Sequence, residues 1–325
     1  MQRGPESGIL RHGCAKGLEL DLLDQETGTA QPMRSADPVA AAPTIRIGAQ
    51  SIWVGDCKLL LPSLPEGSVD VVVTSPPYNI GLRYRSYDDG GARADYLGWM
   101  REIAVLLRRA LKDDGSFFLN IAGTNSDPWI AYDVANAMRD DFILQNHIVW
   151  AKSISVGDDS FGHFKPVNSR RYLNHTHETI FHFTKAGSTP LDRLAVGVPF
   201  KDKSNIARWG HQADRRCAGD IWFMPYETIQ SRGERDHHPS PFPLALPDRC
   251  IRLHGKAGAT VLDPFLGIGS TLLAAERLGC AGIGIEIDPG YAEAAAGRLR
   301  DILIEDASSG ETRGSIVRND KVQPL

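Results

Sequence analysis

The hydrophobic positions of this chain change rhythm repeatedly from about Thr44 onward. Short alternating or unbroken apolar runs suit strands, and apolar residues at i, i+3 and i+4 suit helices. TIRIGAQSIWVGDC (44–57) reads as a hairpin ending in a Gly-Asp turn, and LLPSLPEGSV (60–69) as a short helix and turn. VDVVVTSPPYN (69–79) is a buried strand that runs into a proline-stopped loop. ADYLGWMREIAVLLRRAL (94–111) carries helical spacing and ends at KDDG, read as a turn, before the strand GSFFLNIAG. A helix follows at PWIAYDVANAM (128–138), then strands at ILQNHIVWAKS (143–153) and HETIFHFTKAG (177–187). The rhythm fades from Lys185 to about His238. It returns as a helix at PFPLALPDRCIRLH (241–254), strand–glycine turn–helix at 259–280, a strand at AGIGIEID and a helix from Pro289.

Strands alternating with helices predict an α/β fold, a doubly wound and mostly parallel sheet with helices on both faces. Residues 1–43, rich in Gly, Ala, Pro and Ser, are expected to form a mobile tail, or a short helix at LELDLLDQ docked on the core or a partner. The sheet pattern divides into a half at 44–185 and a half at 238–306, with a polar tail at 307–325. The irregular stretch 186–237 between the halves is the natural substrate-recognising insertion.

Bulk composition narrows this only modestly. A chain of 325 residues with 42% hydrophobic content can bury one large α/β core plus a module. The net charge of −4 excludes a nucleic-acid packaging protein but not an enzyme with a local basic face. Five cysteines without a CxxC pair read as reduced thiols. No apolar run reaches a membrane-span length, and the N-terminus lacks a signal-peptide core, so a cytoplasmic location without membrane association is expected. His175, His177, His237 and His238 show no third-ligand pattern, and no metal is expected.

Two constellations carry chemistry. Asp263-Pro264-Phe265-Leu266-Gly267-Ile268-Gly269-Ser270-Thr271 lies between a strand and a helix, where glycines let a ligand approach the backbone. Glu286 ends the next strand, where a carboxylate can take both ribose hydroxyls of an adenosyl group. A packing turn with a surface acid is the alternative. Position 272 is leucine, so the third glycine of a dinucleotide fingerprint is missing, which suits a ligand without phosphates. Thr74-Ser75-Pro76-Pro77-Tyr78-Asn79 ends the other apolar strand. Its prolines stiffen the backbone and remove two N–H donors, and neighbouring carbonyls can accept from an amine. Tyr78 offers a flat face for stacking. A plain strand-ending turn explains the same residues.

Together, SPPY and DPFLGIGST resemble the two signature motifs of amino-methyltransferases acting on DNA, in the order of the beta class, over roughly residues 45–300. The resemblance implies a fold of the S-adenosylmethionine-dependent methyltransferase type and S-adenosyl-L-methionine as cofactor. It implies catalysis at Ser75, Pro76, Pro77 and Tyr78. Cofactor contacts would come from Asp56 and Cys57, which match a motif where an acid holds the adenine amino group. Phe242, in His238-Pro239-Ser240-Pro241-Phe242, would pack near the methionine part. Asp263, Phe265, Gly267, Gly269, Ser270, Thr271 and Glu286 complete the set. Leu119-Asn120-Ile121 and His177-Glu178-Thr179-Ile180 match weaker, mostly structural motifs.

The implied chemistry is direct. Hydrogen bonds from an exocyclic NH₂ to the Ser75 hydroxyl and the Pro76 carbonyl would free the nitrogen lone pair for in-line attack on the sulfonium methyl. No covalent enzyme intermediate is needed, so Cys57 is not a nucleophile. The paired base of duplex DNA must be flipped out and stacked, on Tyr78 by this reading. Lys152, Lys165, Arg170, Arg171, Lys201, Lys203, Arg208, Arg215 and Arg216 lie in or near the irregular region. Arg170, Arg171, Arg208, Arg215 and Arg216 are the expected DNA contacts, with solvated surface charge as the bland reading. Serine before the prolines is commoner in cytosine-N4 enzymes and an acid in adenine enzymes, so cytosine N4 is preferred to adenine N6. A homodimer and a cognate restriction endonuclease are further expectations. A catalytically inactive DNA-binding module, a nicotinamide dehydrogenase and an RNA or protein amine methyltransferase remain competing readings.

Overall fold

A computed structural model describes residues 42–164, 166–208, 213–225 and 242–309. The predicted tails, apart from residues 42–43 and 307–309, lie outside the described residues, as do Lys165 and the His237–Pro241 stretch. The described chain opens with β1 (Ile45–Ile47) and β2 (Gln50–Val54), the predicted hairpin, followed by the one-turn helix α1 (Cys57–Leu60) and a 3₁₀ turn. Next come β3 (Val69–Thr74), α2 (Arg93–Ala110), β4 (Leu111–Ile121), α3 (Ile130–Ala137) and β5 (Ile143–Ala151). A small hairpin, β6 (Ser153–Val156) and β7 (Asp159–Gly162), precedes β8 (His177–Thr184), α4 (Ser204–Arg208) and β9 (Ile221–Phe223). The second half is α5 (Ala245–His254), β10 (Thr260–Asp263), α6 (Ser270–Arg277), β11 (Ala281–Glu286) and α7 (Pro289–Ser309).

The strands form one nine-stranded sheet in the order β1-β2-β11-β10-β3-β4-β8-β5-β9. β2, β11, β10, β3 and β4 run parallel, and β8 runs against β4 and β5. β3 is buried at every position, as a central parallel strand covered on both faces must be. Its side chains alternate between two layers. Val72 joins Phe117, Leu119 and residues of α2 and α3 in one core cluster, while Val71 and Val73 pack with Phe118 and residues of α5 in another. A third cluster joins Ile52, Leu272 and the inner face of α7.

Chain order reverses direction between β10 and β3. From β10 the chain moves outward through β11, whereas β3 continues the other way to β4. In open α/β sheets the crevice beyond the carboxyl ends of such a pair is where ligands bind. Both motifs sit there, one after β10 and one after β3.

Two predictions need correction. KDDG is not a turn outside the sheet: α2 passes directly into β4, and the register jumps from Val69↔Leu111 to Val71↔Ser116, making the segment a bulge. Buried Asp70 anchors it through Lys112 (2.8 Å), and it also holds Lys256 and the Thr260 amide. Gly115 fits because a Cβ there would stand 2.6 Å from Leu111. Second, the stretch 186–237 is not wholly irregular, because Ile221–Phe223 adds an edge strand parallel to β5. The stretch also begins at the end of the sheet away from the crevice. Thr189 bonds Gln145 and Gly115 near the starts of β5 and β4, and the Asp192 amide donates to Leu253 at the end of α5.

Candidate active site

The crevice holds an open cleft lined by strand ends and aromatic side chains. Its floor is made by strand ends. Gly55, Asp56 and Cys57 follow β2, Ser75 and Pro77 follow β3, Pro264, Phe265 and Gly267 follow β10, and Glu286 closes β11. Glu286 is buried, and its carboxylate accepts the Gly267 amide at 2.7 Å on one oxygen and the Asp288 amide at 2.9 Å on the other. One acid thereby fastens the glycine turn to the start of α7. Burial pushes its pKa up to about 7, with the neighbouring Asp263 and Asp288 charges adding to the rise. Each oxygen retains a second lone pair. Gly267 has φ +54°, a conformation that disfavours side chains.

One wall is aromatic and largely absent from the sequence reading. Tyr87 stacks on Trp99 at 5.9 Å, Trp99 leans on Phe265 at 5.4 Å, and Tyr84 meets Tyr87 edge-on. Tyr84 and Tyr87 belong to the loop between β3 and α2. That loop is shaped by Asp89, which is buried and accepts the amides of Asn79, Ile80 and Leu82. Its tip is tied across the cleft by Ser86, whose hydroxyl donates to Asp288 at 2.6 Å, and by Arg85 over the Tyr291 ring. The cluster of tyrosines in RYRSYDD was the available signal, but nothing in its spacing says that it folds back.

Several predicted cofactor residues sit beneath the cleft rather than in it. Asp263 is fully buried and accepts Thr74 (2.6 Å), Thr271 (2.6 Å) and the Phe265 amide (3.0 Å). It joins the two motifs to each other, and burial raises its pKa to about 6. Ser270 donates to the Phe242 carbonyl at 3.2 Å, and Phe242 packs in the α5 cluster. Gly269 is required by packing, because a Cβ there would stand 2.8 Å from Ala295. Asp56 lines the cleft and also caps α1 through the Lys58 amide. Cys57 lines it too, and burial pushes its thiol up to about 12, a poor nucleophile at neutral pH.

Around SPPY the hydrogen bonds are dense. The Tyr78 hydroxyl lies 2.7 Å from the Ser75 hydroxyl and donates to Glu178 at 3.0 Å. Asn120 donates to Glu178 at 2.6 Å and to the Tyr78 oxygen at 3.0 Å. Lys152 is ion-paired with the other oxygen of Glu178. Burial and the Glu178 charge hold the Tyr78 phenol well above its ordinary range. The Pro77 carbonyl is already taken by the Tyr96 hydroxyl at 2.6 Å, so the prolines do not leave every neighbouring carbonyl open. Asn120 and Glu178, matched in the sequence only to weak structural motifs, are thus direct partners of the SPPY loop.

The predicted DNA contacts fall on two segments of the chain. Arg170 and Arg171 are exposed in the segment that leads into β8, whose first residues lie at the crevice end of the sheet, and Arg171 stacks over Tyr172. Arg215 instead donates to the Gly197 carbonyl at 3.0 Å, Arg216 is exposed beside it, and Arg208 is exposed on α4.

Comparison with known proteins gives this geometry a context. The DNA methylase family N6_N4_Mtase matches residues 69–297. Type II methyltransferase M.ScaI of Streptomyces caespitosus is 28% identical over 295 residues, spanning 87% of this chain and 88% of that protein. DNA adenine methyltransferase YhdJ of Escherichia coli (strain K12) is 28% identical over 259 residues, 77% of this chain and 83% of that one. Among solved structures, PvuII DNA methyltransferase (cytosine-N4-specific) superposes with a TM-score of 0.58 at 24% identity, covering 81% of this chain and 93% of that one. TTHA0409 of Thermus thermophilus, complexed with S-adenosyl-L-methionine, gives 0.53 at 25% identity over 76% and 92%. The cleft fits that cofactor: an aromatic, largely apolar wall for the adenine, and a buried carboxylate with lone pairs to spare for ribose hydroxyls.

Proposed function

This chain belongs to the N6/N4 DNA methylase family and is an S-adenosylmethionine-dependent DNA methyltransferase, and we propose that the amine it methylates is N4 of cytosine in a specific duplex site. The observation that supports this is Ser75 at the crevice, a short neutral hydroxyl where adenine enzymes of this kind more often carry an acid. The cofactor supplies an electrophilic methyl group. Glu286 holds the ribose, the Trp99–Phe265 wall packs beside it, and Ser75 with the Pro76 carbonyl holds the amine of a flipped base in line. Adenine N6 is the second reading, favoured by the similarity to an enzyme named as an adenine methyltransferase. Methylating duplex DNA with labelled cofactor and analysing the nucleosides separates the two. N4-methylcytosine supports the proposal and N6-methyladenine overturns it.

Ser75→Ala is expected to slow methyl transfer about ten- to hundredfold, the value of one or two lost hydrogen bonds, and to leave cofactor affinity unchanged. Single-turnover rates beside calorimetric cofactor binding check it. An unchanged rate removes the SPPY loop from the chemistry.

DNA is gripped from the crevice side. Arg170 and Arg171 contact the duplex there, and residues 186–237 supply the sequence reader, with Arg208 and Arg216 as its reaching side chains. Arg215 is committed to the Gly197 carbonyl and acts by shaping that segment. Alanine at Arg170 or Arg171 should weaken all DNA sites alike and reduce the salt slope by about one. Alanine at a base reader should relax specificity at one position by about 1–3 kcal/mol. Methylation across single-base variants at two salt concentrations distinguishes these outcomes. The likeness to Type II enzymes makes a restriction endonuclease of matching specificity the expected companion, and a homodimer remains the expected assembly.

A further inference from the structure

The methyltransfer produces a proton that this site must remove, and its hydrogen bonds run in one direction. Tyr78 has a single hydroxyl hydrogen, and Glu178 Oε2, an acceptor, lies 3.0 Å away. The other neighbour on that side, Asn120 Nδ2, is a donor to both Tyr78 and Glu178. The Tyr78 hydrogen therefore points at Glu178. Across the 2.7 Å contact between the two hydroxyls, Ser75 must then be the donor. Asn120 Nδ2 faces one Ser75 Oγ lone pair at 3.4 Å, and the other is left to accept from a substrate N–H. Glu178 is a buried acid at the start of an antiparallel strand, and its second oxygen is balanced by Lys152. A carboxylate costs free energy in such a place unless it is paired, and the Lys152 ion pair alone does not require a tyrosine and a serine aligned on its far side.

We propose that Glu178 receives the proton shed by the methylated amine, delivered through the Ser75 and Tyr78 hydroxyls. The proposal rests on the reading that Ser75 holds the amine. As the nitrogen lone pair forms the new N–C bond, the methyl–sulfur bond breaks and its electron pair stays on sulfur. The cationic nitrogen gives an N–H proton to Ser75 Oγ. The Ser75 proton moves to the Tyr78 oxygen, and the Tyr78 proton moves to Glu178 Oε2. The products are a secondary amine, a neutral thioether and a neutral Glu178, which returns its proton to solvent after the DNA leaves. The relay does not depend on which base carries the amine.

The test is single-turnover methylation of duplex DNA by the full chain, with cofactor and DNA affinities measured alongside. Glu178→Gln keeps the size and an acceptor but cannot take up a proton. It should slow the step about a hundredfold or more with both dissociation constants unchanged. Tyr78→Phe keeps the ring and adds no charge. It should show a similar loss, and the double variant should be no slower than the slower single, because both cut one path. A Glu178→Gln rate near wild type, or losses that multiply in the double variant, overturns the relay. If Glu178→Gln does not fold, Tyr78→Phe decides by itself, and a full rate in that variant overturns the relay. Ser75→Ala separates the two levels. A slow Ser75→Ala beside a fast Glu178→Gln refutes the relay and leaves the amine site standing, whereas two fast variants refute both.

Discussion

Glu286→Ala is expected to weaken S-adenosylmethionine binding by about two to four orders of magnitude. Two ribose hydroxyls donating to a buried carboxylate make charge-assisted hydrogen bonds worth about 1.5–3 kcal/mol each. The same oxygens hold the Gly267 and Asp288 amides, so the variant also loosens the glycine turn. A pH arm isolates the charge. Burial raises the Glu286 pKa to about 7, so the acid is increasingly protonated as pH falls below neutrality. The protonated form turns one accepting oxygen into a donor. Affinity should therefore be level at pH 8 and fall about tenfold per unit below 7, while Glu286→Gln should show no such slope. Calorimetry at pH 6 and pH 8 measures both arms. Equal constants at the two values mean that the ribose is held elsewhere.

Asp263→Ala should have the largest effect on stability. It strips the acceptor from the Thr74 and Thr271 hydroxyls and from the Phe265 amide at a site with no solvent exposure. Each donor left unsatisfied costs about 1–3 kcal/mol, and the three together about 3–5 kcal/mol after relaxation. A melting temperature lower by roughly 10 °C follows for a chain of this size. Thr74 precedes Ser75, so turnover should fall as well, even in protein that remains folded at the assay temperature. An unaltered melting curve would mean that the Asp263 bonds do not hold the two strand ends together.

Most of the fold was legible because most of it is periodic. The solid run VDVVV, the helical spacing from Ala94 and the strand–turn–helix around Gly267 depend on local pattern alone. KDDG was misread because four polar residues look like a turn, and only the long-range pairing of Lys112 with Asp70 makes them a bulge. Ile221–Phe223 is too short to show a period and exists because β5 offers it an edge. The strand-end residues Ser75, Gly267 and Glu286, which line the cleft, could be picked out from motif and position together. Asp263, Gly269 and Thr271 carry motif identity yet serve the scaffold, a distinction that only burial and partners reveal. The aromatic wall and the Glu178 network come from residues far apart in sequence, whose meeting depends on how the loop after β3 and the reversed strand β8 fold back.

The reversal of β8 has a consequence for how the grip on DNA can change. Because β5 ends and β8 begins at the same rim, residues 152–176 leave and re-enter the core over the crevice, and the β6–β7 hairpin stands on those two neighbouring anchors. The entropic cost of closing a loop between fixed ends grows only logarithmically with its length. The segment should therefore tolerate changes of length. Insertions and deletions within it are expected to leave the β5–β8 register intact, provided that Lys152 and Glu178 at its two ends are kept.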